Sequence, residues 1–137
     1  ANVEFSVAEG GQDDQSAGRI LVPDQPKTGS LAEFSQRVPL KPNTTYYVSV
    51  NMKVVQGGAW PNICIEILDD KCHYLPNSVF FALKSQDKVP AGEYGLYECT
   101  FTAKPEYKFA NLSLRLQDLG KGEVLFDNAV MIELPKE

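Results

Sequence analysis

Glu93-Tyr94-Gly95-Leu96-Tyr97-Glu98-Cys99-Thr100-Phe101-Thr102, then Leu112-Ser113-Leu114-Arg115-Leu116-Gln117, then Val124-Leu125-Phe126-Asp127-Asn128-Ala129-Val130-Met131-Ile132: in each stretch apolar residues recur at every second position. Successive side chains of a β-strand point to opposite faces, so this spacing marks strands with one face in a core and the other outside. Working outward, the same pattern predicts strands at Val3 to Ala8, Arg19 to Val22, Glu33 to Pro39, Thr45 to Val55, Asn62 to Leu68 and Phe80 to Ser85. Around the quoted segments it gives Tyr94 to Ala103, Asn111 to Leu116 and Glu123 to Leu134. Helical spacing is almost absent, apart from a turn expected around Ser30 to Phe34. Clusters of Gly, Pro, Asn and Asp, such as Lys41-Pro42-Asn43, Gln56-Gly57-Gly58 and Pro90-Ala91-Gly92, separate the strands as turns do. Many short strands with regular turns predict an all-β fold, a β-sandwich jelly roll of two antiparallel sheets.

The alternation also sorts inside from outside. Tyr46, Val48, Val50, Met52 and Val54 form one continuous apolar set and belong to the core, which leaves Tyr47, Ser49, Asn51 and Lys53 on the other face. By the same count Ile63, Ile65 and Ile67 point inward, and Cys64, Glu66 and Leu68 outward. Tyr97 and Phe101 share one side of their strand and are assigned to the core.

With 137 residues, 43% of them hydrophobic, the chain fits a single domain spanning 1–137. A net charge of -5 with scattered Lys and Arg argues against nucleic acid as a partner, because phosphate binding needs clustered cations. No apolar run approaches the roughly 20 residues that cross a bilayer, so no membrane partner is expected. Cys64, Cys72 and Cys99 are an odd number; buried free thiols are the plain reading, with a bridge from Cys64 to Cys99 or to Cys72 left open.

Catalysis finds little support. His73 is the sole histidine, adjacent Cys72 is too close to serve it as a partnered nucleophile, and Cys64, Cys72 and His73 lack metal-ligand spacing. The outward row Ser113, Arg115 and Gln117 instead suits a polar ligand such as a sugar. Sugars are held by an aromatic face stacked on the pyranose C–H groups and by planar polar side chains on the hydroxyls. Trp60 in a glycine-bearing connection, Tyr47 on a polar face and Tyr74 in the Cys72-His73-Tyr74-Leu75 loop are the candidate platforms. Asn51, Lys53, Glu66, Arg115 and Gln117 are the candidate hydrogen-bonding groups. The competing reading of the charged members is a salt bridge of Glu66 with Arg115 or Lys53.

The order of segments resembles the carbohydrate-binding modules of the family 4, 9, 16 and 22 group, jelly rolls of the galactose-binding-like superfamily. Phe34-Ser35-Gln36-Arg37-Val38-Pro39-Leu40-Lys41-Pro42-Asn43-Thr44-Thr45-Tyr46 leading into Val48-Ser49-Val50-Asn51-Met52-Lys53 carries part of the likeness. Glu93-Tyr94 with Tyr97 and Phe101-Thr102, and the closing Phe126-Asp127-Asn128-Ala129-Val130, carry the rest. Tyr94 stands where that group more often has tryptophan. The resemblance implies non-catalytic binding of a polysaccharide or oligosaccharide, by a secreted or cell-surface protein whose module is tethered to a glycan-degrading catalytic domain. It also implies a structural calcium held by Asp127 with Asp13 or Asp14, the hard oxygen ligands that this ion takes; against it stands an Asp127 that only caps a turn. A structural or adhesion sandwich of a larger surface or phage-tail protein is the alternative from another class.

Overall fold

Period-two alternation becomes nine strands in the computed structural model, which describes residues 4–9, 16–22, 31–56, 60–82, 92–117 and 122–135. They are β1 (Glu4–Glu9), β2 (Ser16–Val22), β3 (Leu31–Pro39), β4 (Thr45–Gln56), β5 (Trp60–Leu68), β6 (Tyr74–Phe81), β7 (Tyr94–Thr102), β8 (Phe109–Gln117) and β9 (Gly122–Glu133). A five-stranded sheet runs β1-β2-β9-β4-β7 and a four-stranded sheet β3-β8-β5-β6. Their strand pairs are antiparallel. The all-β sandwich of two antiparallel sheets is therefore as expected.

The core lies between the sheets and is built from the residues that alternation points inward. From β4 come Tyr46, Val48, Val50, Met52 and Val54, and from β5 Ile63, Ile65 and Ile67, all buried. Burying an aliphatic side chain of this size contributes roughly 1.5–3 kcal/mol. Phe101 of the five-stranded sheet lies between two rings, 5.5 Å from Tyr46 on its own sheet and 5.1 Å from Phe80 on the other. Tyr97 packs partly buried against the same cluster, as assigned.

Three local expectations need correction. The turn expected at Ser30 to Phe34 is strand from Leu31 onward, because residues 31–39 pair along the whole of β8. Tyr74 opens β6 instead of standing in a loop, and β6 ends at Phe81; Leu83, Lys84 and Ser85 of the expected strand lie outside the described residues. Pro76 and a left-handed Asn77 (φ 59°) disguise this strand in the sequence, and the register shifts between Glu66 and Leu68 to absorb them. Proline has no N–H to give a ladder, so it survives in an edge strand or bulge, and β6 is an edge. Trp60 likewise begins β5, where a flexible connection was expected.

Candidate functional site

Register places five of the eight expected ligand-binding residues on the outer face of the four-stranded sheet. Ile63, Ile65 and Ile67 take the inner positions of β5, so Trp60, Asn62, Cys64, Glu66 and Leu68 take the outer ones. Opposite them on β8 stand Gln117, Arg115, Ser113, Asn111 and Phe109, and opposite those on β3 stand Leu31, Glu33, Ser35, Arg37 and Pro39. Trp60 pairs with Gln117 at one end of this face; their side chains lie outside the described part of the structure. Tyr74 pairs with Leu68 at the other end.

Tyr47, Asn51 and Lys53 do not join them. They belong to β4, whose inner face is the core set, so they point out of the opposite side of the sandwich. There the Tyr47 hydroxyl donates to the Glu98 carboxylate, a bond that raises the tyrosine pKa, and the Lys53 ammonium lies 5.7 Å from the centre of the Tyr94 ring. One ligand chain cannot touch both sets, and the single polar face expected from the sequence is two faces separated by the core.

Two layers of polar groups make up the four-stranded face. The deeper layer is an ion triad: Arg115 Nη2 donates to Glu66 Oε1 at 2.9 Å, and Arg115 Nε to Glu33 Oε2 at 3.1 Å. The Arg115 side chain is only 11% exposed. Burial opposes its charge, but the acidic groups around it outweigh that and its pKa is raised. Neighbouring Cys64 is buried and its thiol is pushed up to about 11, chiefly by burial, so it is uncharged at neutral pH and the two carboxylates are the anions that face Arg115. The salt-bridge reading of Glu66 and Arg115 is thus observed, with Glu33 as a third member and without Lys53.

The outer layer is exposed. Asn111 accepts from Arg37 Nε at 3.2 Å through its Oδ1 and donates to the Tyr74 hydroxyl at 3.2 Å through its Nδ2. Arg37 Nη1 also reaches the Cys72 sulfur at 3.4 Å. The turn carrying Cys72 is folded by Asp69, whose Oδ1 accepts the backbone N–H groups of Lys71 and His73, each at 2.9 Å. Those bonds, His73 first, hold the Asp69 pKa below its usual value. Tyr74 is 60% exposed, an aromatic face held at its hydroxyl on a rigid sheet. Arg37, Asn111 and Glu33 were not singled out by sequence; each is an outward position of its strand, and only the pairing of β3 with β8 brings them beside Arg115 and Tyr74.

The expected metal ligands are divided. Asp13 and Asp14 lie outside the described residues. Asp127 Oδ1 accepts the N–H of Asn128 at 2.9 Å, and Asn128 adopts a left-handed backbone (φ 51°) where β9 bulges against β4, which is the turn-capping alternative. Among the described residues no three His, Cys, Asp or Glu side chains gather as a metal site. The cysteines are free: Cys64 buried, Cys72 exposed and Cys99 intermediate, so neither bridge left open by the sequence is made. His73 Nδ1 lies 3.9 Å from Asp69 Oδ2.

No protein-family profile matches the sequence, and no curated protein matches it. Solved structures do match in fold. The enzymatically active domain of tailspike protein 4 from bacteriophage CBA120 aligns at a TM-score of 0.71 and 14% identity, over 96% of this chain and 18% of that one. The N-terminal part of a Clostridium thermocellum endo-1,4-beta-D-xylanase, CBM22-1 and GH10 modules with xylohexaose, aligns at 0.66 and 16% identity, over 96% of this chain and 25% of that one. The CBM22-1 xylan-binding domain of a Paenibacillus barcinonensis protein aligns at 0.64 and 14% identity, over all of this chain (100%) and 85% of that one. The fold is therefore the β-sandwich of carbohydrate-binding modules, and this chain spans only about a fifth to a quarter of the first two proteins that carry it.

Proposed function

We propose that the chain is a non-catalytic carbohydrate-binding module and that its site is the outer face of the four-stranded sheet. The observation that carries this reading is the exposed ring of Tyr74, tied at its hydroxyl to Asn111 and through it to Arg37. An aromatic face with fixed polar groups beside it suits a sugar ring, which offers C–H groups on one side and hydroxyls around its rim. The ion triad beneath holds β3, β8 and β5 in register, and Trp60 and Gln117 extend the face at its far end. Neighbours of the same fold described as xylan-binding, or solved with xylohexaose, support the same class of ligand.

In this reading a polysaccharide chain lies across the strands with micromolar to millimolar affinity, about 4–8 kcal/mol. The protein is secreted or at a cell surface, and a tethered glycan-degrading domain gains effective substrate concentration from the module. Calcium belongs to the proposal only through Asp127 with Asp13 or Asp14. Asp127 sits next to Phe126, which pairs with Gly18 near the start of β2, and Asp13 and Asp14 precede β2 in the sequence. Protection of the thermal midpoint by calcium, removed by a chelator and by Asp127→Ala, is the expected result for such a site.

The binding reading is tested by affinity electrophoresis through gels containing xylan, mannan, β-glucan or pectin. Tyr74→Ala and Trp60→Ala should each weaken retardation in the same glycan by about tenfold, while Tyr47→Phe, on the opposite sheet, should leave it unchanged. Retardation in none of the gels would reject the site and leave the structural or adhesion sandwich as the better account.

A further inference from the structure

Two arginines lie on the proposed sugar-binding face, and their electrostatic situations differ. Arg115 is buried and matched by two carboxylates. Arg37 is exposed, and its contacts are neutral: the Asn111 amide oxygen at 3.2 Å and the Cys72 sulfur at 3.4 Å. None of the ion pairs among the described residues includes it. Both N–H groups of its Nη2 take part in neither contact, and they form half of the fork that grips a carboxylate.

We infer that the glycan taken by this face carries a carboxylate, as a uronic acid does, and that Arg37 receives it. This rests on the sheet-face reading above and adds the charge of the ligand to it. A planar guanidinium already oriented by two contacts loses little further freedom when a carboxylate docks on it. The same Asn111 amide touches both Arg37 and the Tyr74 hydroxyl, so cation and ring are linked through one side chain on the same face. The pyranose of a uronic acid presents the same pair, a C–H face and a carboxylate on one ring. Asp69, on the turn that carries Cys72, accepts the N–H groups of Lys71 and His73 through Oδ1, and among the described residues no carboxylate forms an ion pair with Arg37.

The net charge of -5 limits which uronates fit. Charges beyond about 8 Å are largely screened at physiological salt, so one carboxylate at Arg37 feels that cation most. A polymer charged on every residue lays further carboxylates along the triad, where Glu33 and Glu66 outnumber Arg115. The structure therefore favours a glycan with isolated uronates on a neutral backbone over a homopolymer of uronic acid.

Titration calorimetry and affinity electrophoresis with glucuronoxylan, xanthan, gum arabic, alginate and polygalacturonate, each beside its carboxyl-reduced form, test this. At least one of the first three should bind about tenfold tighter than its reduced form, and more tightly than the two homopolymers. Arg37→Gln should remove that difference, so that the acidic and reduced forms bind alike. Arg37→Lys, which keeps the charge and loses the fork, should recover only part of it. Binding that is indifferent to carboxyl reduction or to Arg37→Gln would overturn the inference and leave the sugar-binding reading standing. Failure of every polymer, acidic and reduced, would overturn both.

Discussion

Asn111 donates its amide N–H to the hydroxyl of Tyr74 at 3.2 Å, across the intervening strand β5. Tyr74 is exposed and Asn111 half-buried, and the bond lies at the surface, so it contributes little to folding: exposed substitutions stay within about 0.5 kcal/mol. Its effect is to hold an aromatic ring in one place before ligand arrives. Asn111→Leu and Tyr74→Phe should therefore leave the thermal midpoint within a degree or two of the parent chain and weaken glycan binding about three- to tenfold, as read by calorimetry. Unchanged affinity in both variants would mean that the ring needs no tether.

Arg115 behaves oppositely. Its guanidinium sits between Glu33 and Glu66 at 3.1 and 2.9 Å and is only 11% exposed. Arg115→Ala leaves two facing carboxylates without their cation, and should cost about 2–3 kcal/mol in urea unfolding, less than the roughly 3–5 kcal/mol of fully buried pairs because the carboxylates are partly exposed. Adding Glu33→Gln and Glu66→Gln to Arg115→Met should recover most of that loss, since the penalty comes from unbalanced charge. Loss of glycan binding in Arg115→Ala alone thus reports on the frame of the site. The neutral triple variant is the one that asks whether Arg115 touches sugar.

The in-or-out assignment of side chains was legible in the sequence because it depends only on neighbours two residues apart. Tyr46 to Val54 and Ile63 to Ile67 fall where alternation puts them. Which sheet a strand joins was not legible, because it depends on pairings between residues far apart in the chain, such as Glu33 with Arg115 or Asn51 with Leu96. Tyr47, Asn51 and Lys53 read locally like Glu66 and Arg115, outward and polar, yet they lie on opposite sides of the core. The same non-local step hid Arg37 and Asn111, whose strands meet only through β3–β8 pairing. Tyr74 was misplaced for a local reason: Pro76 and Asn77 carry turn chemistry inside an edge strand that bulges around them.

Asp69 gives the β5–β6 turn an acid-sensitive lock. Its pKa is lowered from 3.8 by the backbone N–H groups of His73 and Lys71, so the native state holds its proton less tightly than the unfolded chain does. A depressed carboxylate stabilises above its unfolded pKa and loses that contribution as pH falls through the folded value. Between pH 7 and 5 the thermal midpoint of Asp69→Asn should lie below that of the parent by a constant margin. As pH falls below 3.8 the two curves should converge; parallel curves throughout would show that the carboxylate charge does not hold the turn.

The cysteines separate by location. Cys72 is exposed on the turn beside Arg37, while Cys64 and Cys99 are each pushed up to about 11, by burial first. At pH 8 a thiol reagent should titrate one cysteine per native chain, and all three after denaturation. Below the ordinary thiol pKa of 9.0 both states keep these protons and stability does not depend on them. From there to about 11 the unfolded chain releases protons that the native state retains, so stability falls as pH rises. Urea midpoints measured from pH 8 to 11 should decline, and decline less in Cys99→Ala, which has removed one of the two groups. A decline equally steep in that variant would assign the alkaline loss to tyrosines and lysines instead of the buried thiols.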